Sequence, residues 1–359
     1  MELYILNQEF QVLTVIDAFE SFIWTDRYNA YGDFELYLAV QSDILEYANQ
    51  DFYLYYPQSE RLMFIEQRTI STDTESGRHL TISGRSLESI LDRRIVWTQT
   101  ILTGNVQNAV QRLLNDNIIN PANTDRKISN FIFEASTDPT VTSLKITSAQ
   151  FTGTSLYEAI KSLCDNQNLG FKVVLNNSNQ FVFSLYMGVD RSYSQDDNSY
   201  VIFSPDFDNI TNSNYLESNK VLKNIALIAG EDEGLDRRTA AISTVGPGEA
   251  SGLLRRELFV DARDISSNQG SGEELTDEEY ISLLEQRGYE KMVDYVFVKS
   301  FEGDVDSERM FVYGEDFFLG DVVQIVNEFG IEATTRIAEL IFSSNNEGNT
   351  IVPTFNIVS

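Results

Sequence analysis

The 359-residue chain contains one cysteine, Cys164, and one histidine, His79. A single thiol cannot form an intrachain disulfide. A zinc site of the usual Cys/His type needs several such ligands, and this pair cannot build one. Any Ser-His-Asp or Cys-His mechanism would have to run through His79, and no serine or cysteine motif accompanies it. Positive charge is also scarce: 26 Lys and Arg stand against 55 Asp and Glu, a formal net charge of −29. A chain this acidic repels duplex DNA and anionic lipid, which excludes a broad basic footprint for either. No apolar run approaches the ~20 residues needed to span a bilayer. The first residues, Met1 to Phe10, lack the basic start and apolar core of a secretory leader. The expectation is a soluble acidic protein made in a cytosol without cleavage.

What the chain does have is apolar material, 42% hydrophobic and 12% aromatic residues, enough for substantial cores. At about 100–200 residues per domain, the length implies two or three domains. From Leu3 to about Ile90, runs rich in aromatic and β-branched residues read as strands: 19–24, 33–40, 51–56, 62–70 and 79–83. Short turns separate them, as in a small barrel or sandwich. After Trp97 the period changes. Val106, Ala109, Val110, Leu113 and Leu114 mark one face of a helix that Asn105 can cap. Leu156, Ala159, Ile160, Leu163 and Cys164 repeat the spacing, with Ser155 and Glu158 as a capping box and Leu169-Gly170 as a stop. Strands at 171–175 and 180–186 follow. Residues 189–219 read as loop with one short strand at 200–203. Strand character returns at 220–229 and 253–260. Thr276 and Glu279 then cap one more helix, and strands close the chain at 295–301, 321–326, 335–342 and 350–358.

Candidate chemistry is thin. Cys164 lies on an apolar helix face and reads as a small buried hydrophobe; Lys161 alone does not make it reactive. His79 reads as a surface or cross-strand residue. With 55 carboxylates, glycosidase-like separations arise by chance, and no local sequence marks a tuned pair. Asp196-Asp197-Asn198 and Glu231-Asp232-Glu233 offer oxygen atoms to Ca²⁺ but lack a known loop spacing, so they read as solvated acidic loops. Gly246-Pro247-Gly248 has no Lys-Ser/Thr after it, and its proline removes an N–H that a phosphate loop would use. Arg93-Arg94 and Arg255-Arg256 are expected to meet carboxylates, within the chain or across a subunit contact. No catalytic, cofactor-binding or metal-binding residue is assigned.

One pattern stands out. Residues 51–84 and 321–352 read alike: an aspartate and apolar strand, a turn to a long strand, a polar turn with glycine, and a closing strand. The pairs are Asp51 with Asp321, 62–70 with 335–342, and the turns 73–77 and 344–348. This suggests two copies of one small β unit.

The segments Trp24-Thr25-Asp26-Arg27-Tyr28, Gly32-Asp33-Phe34-Glu35-Leu36 and Ser83-Gly84-Arg85-Ser86-Leu87, with Ile90-Leu91 and Arg94, resemble the N-terminal hub region of siphophage tail-associated proteins. Gly320-Asp321-Val322-Val323 and Arg336-Ile337-Ala338-Glu339 fit the same family, which is similar in fold to the central baseplate hub of contractile-tailed phages. The resemblance is clearest before residue 95 and after 315, and poor from 230 to 290.

It implies a mainly β protein with α/β insertions (α+β): two related small β-barrels, an inserted α/β module and a short helical insertion. The expected divisions are 1–95 for the first barrel, with part of 196–215 as a possible completion, and 96–190 for the α/β module. The second barrel takes 191–262 and 296–359, and the helical insertion 263–295. The implied function is structural: a homotrimer at the distal tail tip, pseudo-hexameric, that continues the tail tube, passes DNA and carries tip or fibre proteins. Its partners would be the distal tail protein, tail tube, tape measure and receptor-binding proteins, and its location the virion, after assembly in the host cytoplasm. No enzymatic activity, cofactor, sequence-specific nucleic acid binding or membrane span is expected. Many relatives carry C-terminal hydrolase or receptor-binding modules; Ser359 follows directly on the last barrel strands, so none is expected here. Arg27, Arg85 and Arg94 are expected in buried ion pairs or interface contacts. Two other readings stay open. A cell-wall-degrading tail hydrolase would need a tuned carboxylate pair in a groove. A receptor- or carbohydrate-binding module would need exposed aromatics such as Tyr193 and Tyr200.

Overall fold

The computed structural model describes residues 1–74, 77–268, 274–305, 310–346 and 348–358. Alternation builds its frame. Phe22, Trp24 and Asp26 point inward from Ser21–Arg27, while Ile23 between them stays exposed. Phe34, Leu36 and Leu38, then Leu80 and Ile82, then Leu340 and Phe342 do the same from their strands. These rows share one apolar core with Tyr56, Phe203 and Phe355. Period-2 burial of this kind fixes the register of every strand that carries it.

The strands belong to one ten-stranded sheet. Its main path runs Ile210–Ser218, Val298–Val305, Gly348–Ile357, Glu332–Asn345, Ser21–Arg27, Asp33–Ala39, Gly77–Arg85 and Gln67–Asp73. Each neighbouring pair on this path is antiparallel. Val322–Val326 pairs along Glu332–Asn345, with Ile202–Phe203 parallel beside it. A four-stranded sheet of Val12–Ile16, Leu3–Leu6, Tyr53–Tyr55 and Leu62–Phe64 covers part of the same core.

The two halves repeat one strand order. The first reads Ser21–Arg27, Asp33–Ala39, Gly77–Arg85, then Gln67–Asp73 with its continuation Leu62–Phe64, then Tyr53–Tyr55. The second reads Ile210–Ser218, Val298–Val305, Gly348–Ile357, Glu332–Asn345, Val322–Val326. Even the registers agree. Asp73 faces Gly77, Gln67 faces Ser83 and Met63 faces Ser86; Asn345 faces Gly348, Glu339 faces Thr354 and Thr335 faces Ile357. Both long hairpins shift register at the same step, between Met63 and Gln67 in one and at Ala338 in the other. A bulge shared at one position is a designed bend rather than a defect.

The repeat is offset by a residue from the match that the aspartates suggest. Asp51 N–H donates to Ile65 O (3.0 Å) and Ile65 N–H to Phe52 O (2.8 Å). Gly320 N–H donates to Ile337 O and Ile337 N–H to Asp321 O, both 2.9 Å. Asp51 therefore corresponds to Gly320, and both hold positive φ, 62° and 96°. The carboxylate of Asp321 serves a different purpose, accepting from Val189 N (2.7 Å), Arg191 Nε (2.9 Å) and Phe318 N (3.1 Å).

The chain is mostly β with several sheets. Among the described residues the pairing closes neither half into a barrel, because the main path ends at Ile210–Ser218 and at Gln67–Asp73. Residues 210–218, expected as loop and as a completion of the first barrel, form a strand of the second half. The strands Ile225–Ala229, Thr239–Ser243 and Glu257–Asp261, expected in the second barrel, form a separate three-stranded sheet. The helix Asp277–Met292 covers one face of it through Tyr280, Leu283 and Leu284. The inserted layer thus takes in these strands as well as the helix. Its capping box forms as the sequence implies, with Thr276 N donating to Glu279 Oε2 (2.9 Å) and Glu279 N to Thr276 Oγ1 (3.3 Å).

The α/β module packs the helices Val106–Leu114 and Leu156–Asp165 against Phe131–Glu134, Phe181–Tyr186 and Gly170–Leu175. Asn105 caps the first helix by accepting from Asn108 N (3.1 Å). The box expected at Ser155 does not form, because its hydroxyl donates to Asp92 instead (3.0 Å). The module's core is continuous with Tyr53, Phe64, Leu87, Ile90 and Leu91 of the first half.

Candidate functional site

The residues that could have carried chemistry are occupied structurally. His79 is buried, with Nε2 3.0 Å from Glu20 Oε1 and its ring stacked on Tyr37 at 4.8 Å. It is a cross-strand residue with a neighbour that is no nucleophile. Cys164 is fully buried on its helix, and burial pushes its thiol well above the usual range. Asp196 accepts from the Tyr200 hydroxyl (2.9 Å), and Glu231 is held by Arg238. Among the described residues no cluster of three or more Asp, Glu, His or Cys is arranged to hold a metal ion. Gly246-Pro247-Gly248 is a turn closed by Glu249 N onto Gly246 O (3.1 Å). Tyr193 and Tyr200 pack edge to face at 5.6 Å and are both partly exposed.

The arginines divide. Arg27 binds Asp33 (2.6 Å) and Glu339 (2.7 Å), so one guanidinium ties the first half to the second. Arg85 forks onto Glu66 through Nε (2.8 Å) and Nη2 (2.9 Å) and reaches Asp92 (3.2 Å). A planar fork suits this paired grip better than a lysine would. Arg94 departs from the expectation of an ion pair: its bonds go to the carbonyls of Arg126 (3.1 Å) and Arg93 (2.9 Å). Burial, then Arg126 and Arg93, lower its pKa. Arg93 meets Asp51 (3.1 Å) and Arg255 meets Glu257 (2.5 Å), whereas Arg256 goes to the Asn219 carbonyl.

A buried charge network sits beneath these pairs. Asp26 accepts from Trp24 Nε1 (2.9 Å) and Ser59 Oγ (2.6 Å). Arg61 lies beside it, ion-paired with Glu88, and Glu88 Oε1 also accepts from Val173 N (2.9 Å). Arg61 and Glu88 are 1% and 0% exposed, and the bond from Val173 N to Glu88 ties the first half to the α/β module from inside. Burial raises the Asp26 carboxyl above its ordinary range, against the pull of Arg61. The signal for Asp26 was its place on the inward row of an alternating strand, next to Trp24. Nothing comparable marks Arg61 or Glu88.

A groove between Leu156–Asp165 and Asp277–Met292 is lined by Tyr157, Glu158, Lys161, Arg287, Glu290 and Asp294. Arg287 there grips Asp264 (3.0 Å) and donates to Gln150 O (2.9 Å), which fastens the inserted layer to the module.

The main sheet's outer face carries Glu35, Thr81, Ser83, Ser343 and Thr354 beside Ile23, Tyr37 and Ile341. Inside the sheet, Glu339–Asn345 of the second half pairs with Ser21–Arg27 of the first. Leu340 faces Asp26, Phe342 faces Trp24 and Ser344 faces Phe22. The two end strands, Gln67–Asp73 and Ile210–Ser218, each pair along one side only within the sheet. Such edges are templates for another strand.

No curated protein matches the chain. Solved structures do. The 43 kDa tail protein of prophage MuSo2 from Shewanella oneidensis has a TM-score of 0.59 at 14% identity, over 99% of this chain and 98% of its own. A tail protein from Neisseria meningitidis MC58 gives 0.55 at 13%, over 99% and 95%. Prophage tail protein gp18 from Listeria monocytogenes EGD-e gives 0.51 at 14%, over 100% and 96%. At such identities these matches establish a shared fold. The motif resemblance to siphophage proteins is borne out by a family match over residues 2–355, and the chain belongs to the siphovirus ReqiPepy6 Gp37-like proteins.

Proposed function

We propose that this protein is a structural component of a phage tail, the hub of its distal tip, assembled as a homotrimeric ring. The observation that carries this reading is the repeated strand order with matching registers in one chain. A sixfold tail tube presents six equivalent edges. A chain with two equivalent units meets them with three copies, each unit taking every second position. The shared fold with tail proteins of Shewanella, Neisseria and Listeria supports a place in the virion.

In this reading the two halves act as two hub barrels whose strands close through neighbours. The α/β module and the inserted layer decorate the ring. The outer face of the sheet lines the channel, and the net charge of −29 keeps passing DNA from sticking. The distal tail protein, tail tube and tape measure would contact the ring from above, and tip or fibre proteins from below. The role is structural rather than enzymatic, and assembly takes place in the host cytoplasm. Mass measurement of the assembled tip tests it: three copies are expected, and six copies or a single copy would overturn it.

A further inference from the structure

This acidic chain gathers three arginines around an exposed tryptophan. The segment that leads into the α/β module alternates like a strand: Val96 is fully buried, while Ile95 and Trp97 beside it are 41% and 66% exposed. Its backbone is pinned, with Val96 N–H donating to Thr154 O (2.8 Å) and Trp97 N–H to Asn117 Oδ1 (3.3 Å). Burying Val96 therefore holds two large apolar side chains in water. Arg93, Arg94 and Arg126 line the same cleft as Ile95 and Trp97.

The residues of this cleft clamp one another. Arg94 Nε donates to Arg126 O (3.1 Å), and Arg126 Nη2 donates back to Ile95 O (2.7 Å) and to Asn117 Oδ1 (3.2 Å). The Arg126 guanidinium also lies 5.1 Å from the centre of the Trp97 ring. These neutral acceptors fix the two guanidinium groups without balancing their charge. Among the described residues neither Arg94 nor Arg126 meets a carboxylate, in a chain with 55 acids and 26 bases. Asp92 also lines the cleft, but Arg85 (3.2 Å) and Ser155 (3.0 Å) hold its carboxylate. Arg93 has Asp51 (3.1 Å).

We propose that this cleft docks an acidic segment of another tail protein, with a carboxylate between Arg94 and Arg126 and an apolar side chain over Trp97 and Ile95. From the ring reading it takes only that the chain is built into a tail. The charge fits: an incoming carboxylate relieves the repulsion between two guanidinium groups and gains charge-assisted hydrogen bonds. The carbonyls already fix those groups, so binding costs little side-chain freedom. Tryptophan beside arginine is also the composition that carries most energy at protein contacts. A long polyanion fits poorly, because the net charge of −29 repels whatever extends beyond the cleft.

The test compares the free full-length chain with the chain in purified tails. Hydroxyl-radical footprinting read by mass spectrometry should show Trp97 oxidised at least tenfold more slowly in tails, with buried Trp24 as the protected reference in both. Trp97 equally reactive in both overturns the proposal. The variant Arg126→Lys keeps the charge and supplies an amine. Carbodiimide treatment of tails that carry it should form an amide, with loss of water, between position 126 and an Asp or Glu of a different tail protein. Coupling to a second copy of this chain, or protection of Trp97 without any coupling, overturns the proposal and leaves the ring reading standing. Absence of the chain from purified tails overturns both. Trp97→Ala gives a second measurement, because the side chain lies outside the core. It should unfold with heat as the wild type does and enter tails at least tenfold less readily in competition with it; equal incorporation overturns the proposal.

Discussion

At the scale of single residues, the buried charges around Asp26 set testable energetics. Glu88→Ala leaves the Arg61 guanidinium in the core without its partner and removes the acceptor of Val173 N. Breaking a buried pair from one side costs about 3–5 kcal/mol. Urea unfolding should show a loss of that size, and Arg61→Met with Glu88→Leu should recover much of it. Asp26 provides a pH signature. Burial raises its carboxyl in the folded chain. Its favourable contribution is therefore complete below the unfolded value of about 3.9 and lost as pH rises through the folded one. Asp26→Asn should thus gain on the wild type between pH 4 and pH 7.5 in paired urea titrations; a constant difference would refute the raised value. Asp26 was noted only within its motif, because the expected strand stopped at 24 and the observed one runs on to Arg27. Glu88 lay in a stretch with no period to mark it, and Arg61 in a turn, so their meeting depended on the tertiary fold.

At the scale of elements, the register shift of the first hairpin depends on a glycine, whereas the second half carries Phe355 at the equivalent place. A Cβ at Gly84 would lie 1.7 Å from the Phe64 carbonyl oxygen, where the hairpin changes register. Gly84→Ala should cost on the order of 3 kcal/mol, because backbone must move. Gly77→Ala, at φ +93° in open space, should cost only about 1 kcal/mol. Equal losses in thermal unfolding would remove the bulge argument. Elements were legible where period and apolar content agree, as in the two amphipathic helices and the strands expected at 33–40 and 79–83, observed as Asp33–Ala39 and Gly77–Arg85. Ile210–Ser218 was not, because Thr211-Asn212-Ser213-Asn214 looks like a loop and becomes a strand through its pairing with Val298–Val305. Ser155 shows the converse, a capping residue drawn off by a partner distant in sequence. The core of the α/β module runs into Leu87, Ile90 and Leu91. Deleting 96–190 should therefore give an insoluble product rather than a free β core, as expression and sedimentation would report.

At the scale of the molecule, charge and duplication decide behaviour. A chain at −29 has too few cations to displace the counterions of DNA. A low-salt gel shift should show no retention of random duplex, and submicromolar binding would contradict a channel that lets DNA slide. The repeat was visible as a pattern of strand, turn and glycine, but its true alignment came only with the hydrogen bonds of Ile65 and Ile337. In the proposed ring each copy meets a neighbour on two sides, which makes it a bifunctional monomer in the polymer chemist's sense. Three linked copies face a choice between biting their own tail and adding a fourth. Cyclisation is a unimolecular step governed by effective concentration, while growth scales with the amount of chain present. Dilute protein should therefore yield small closed species, and crowded overexpression should run on into open threads. A tail tube acting as a template would hold the turn per unit fixed and cap the count at three.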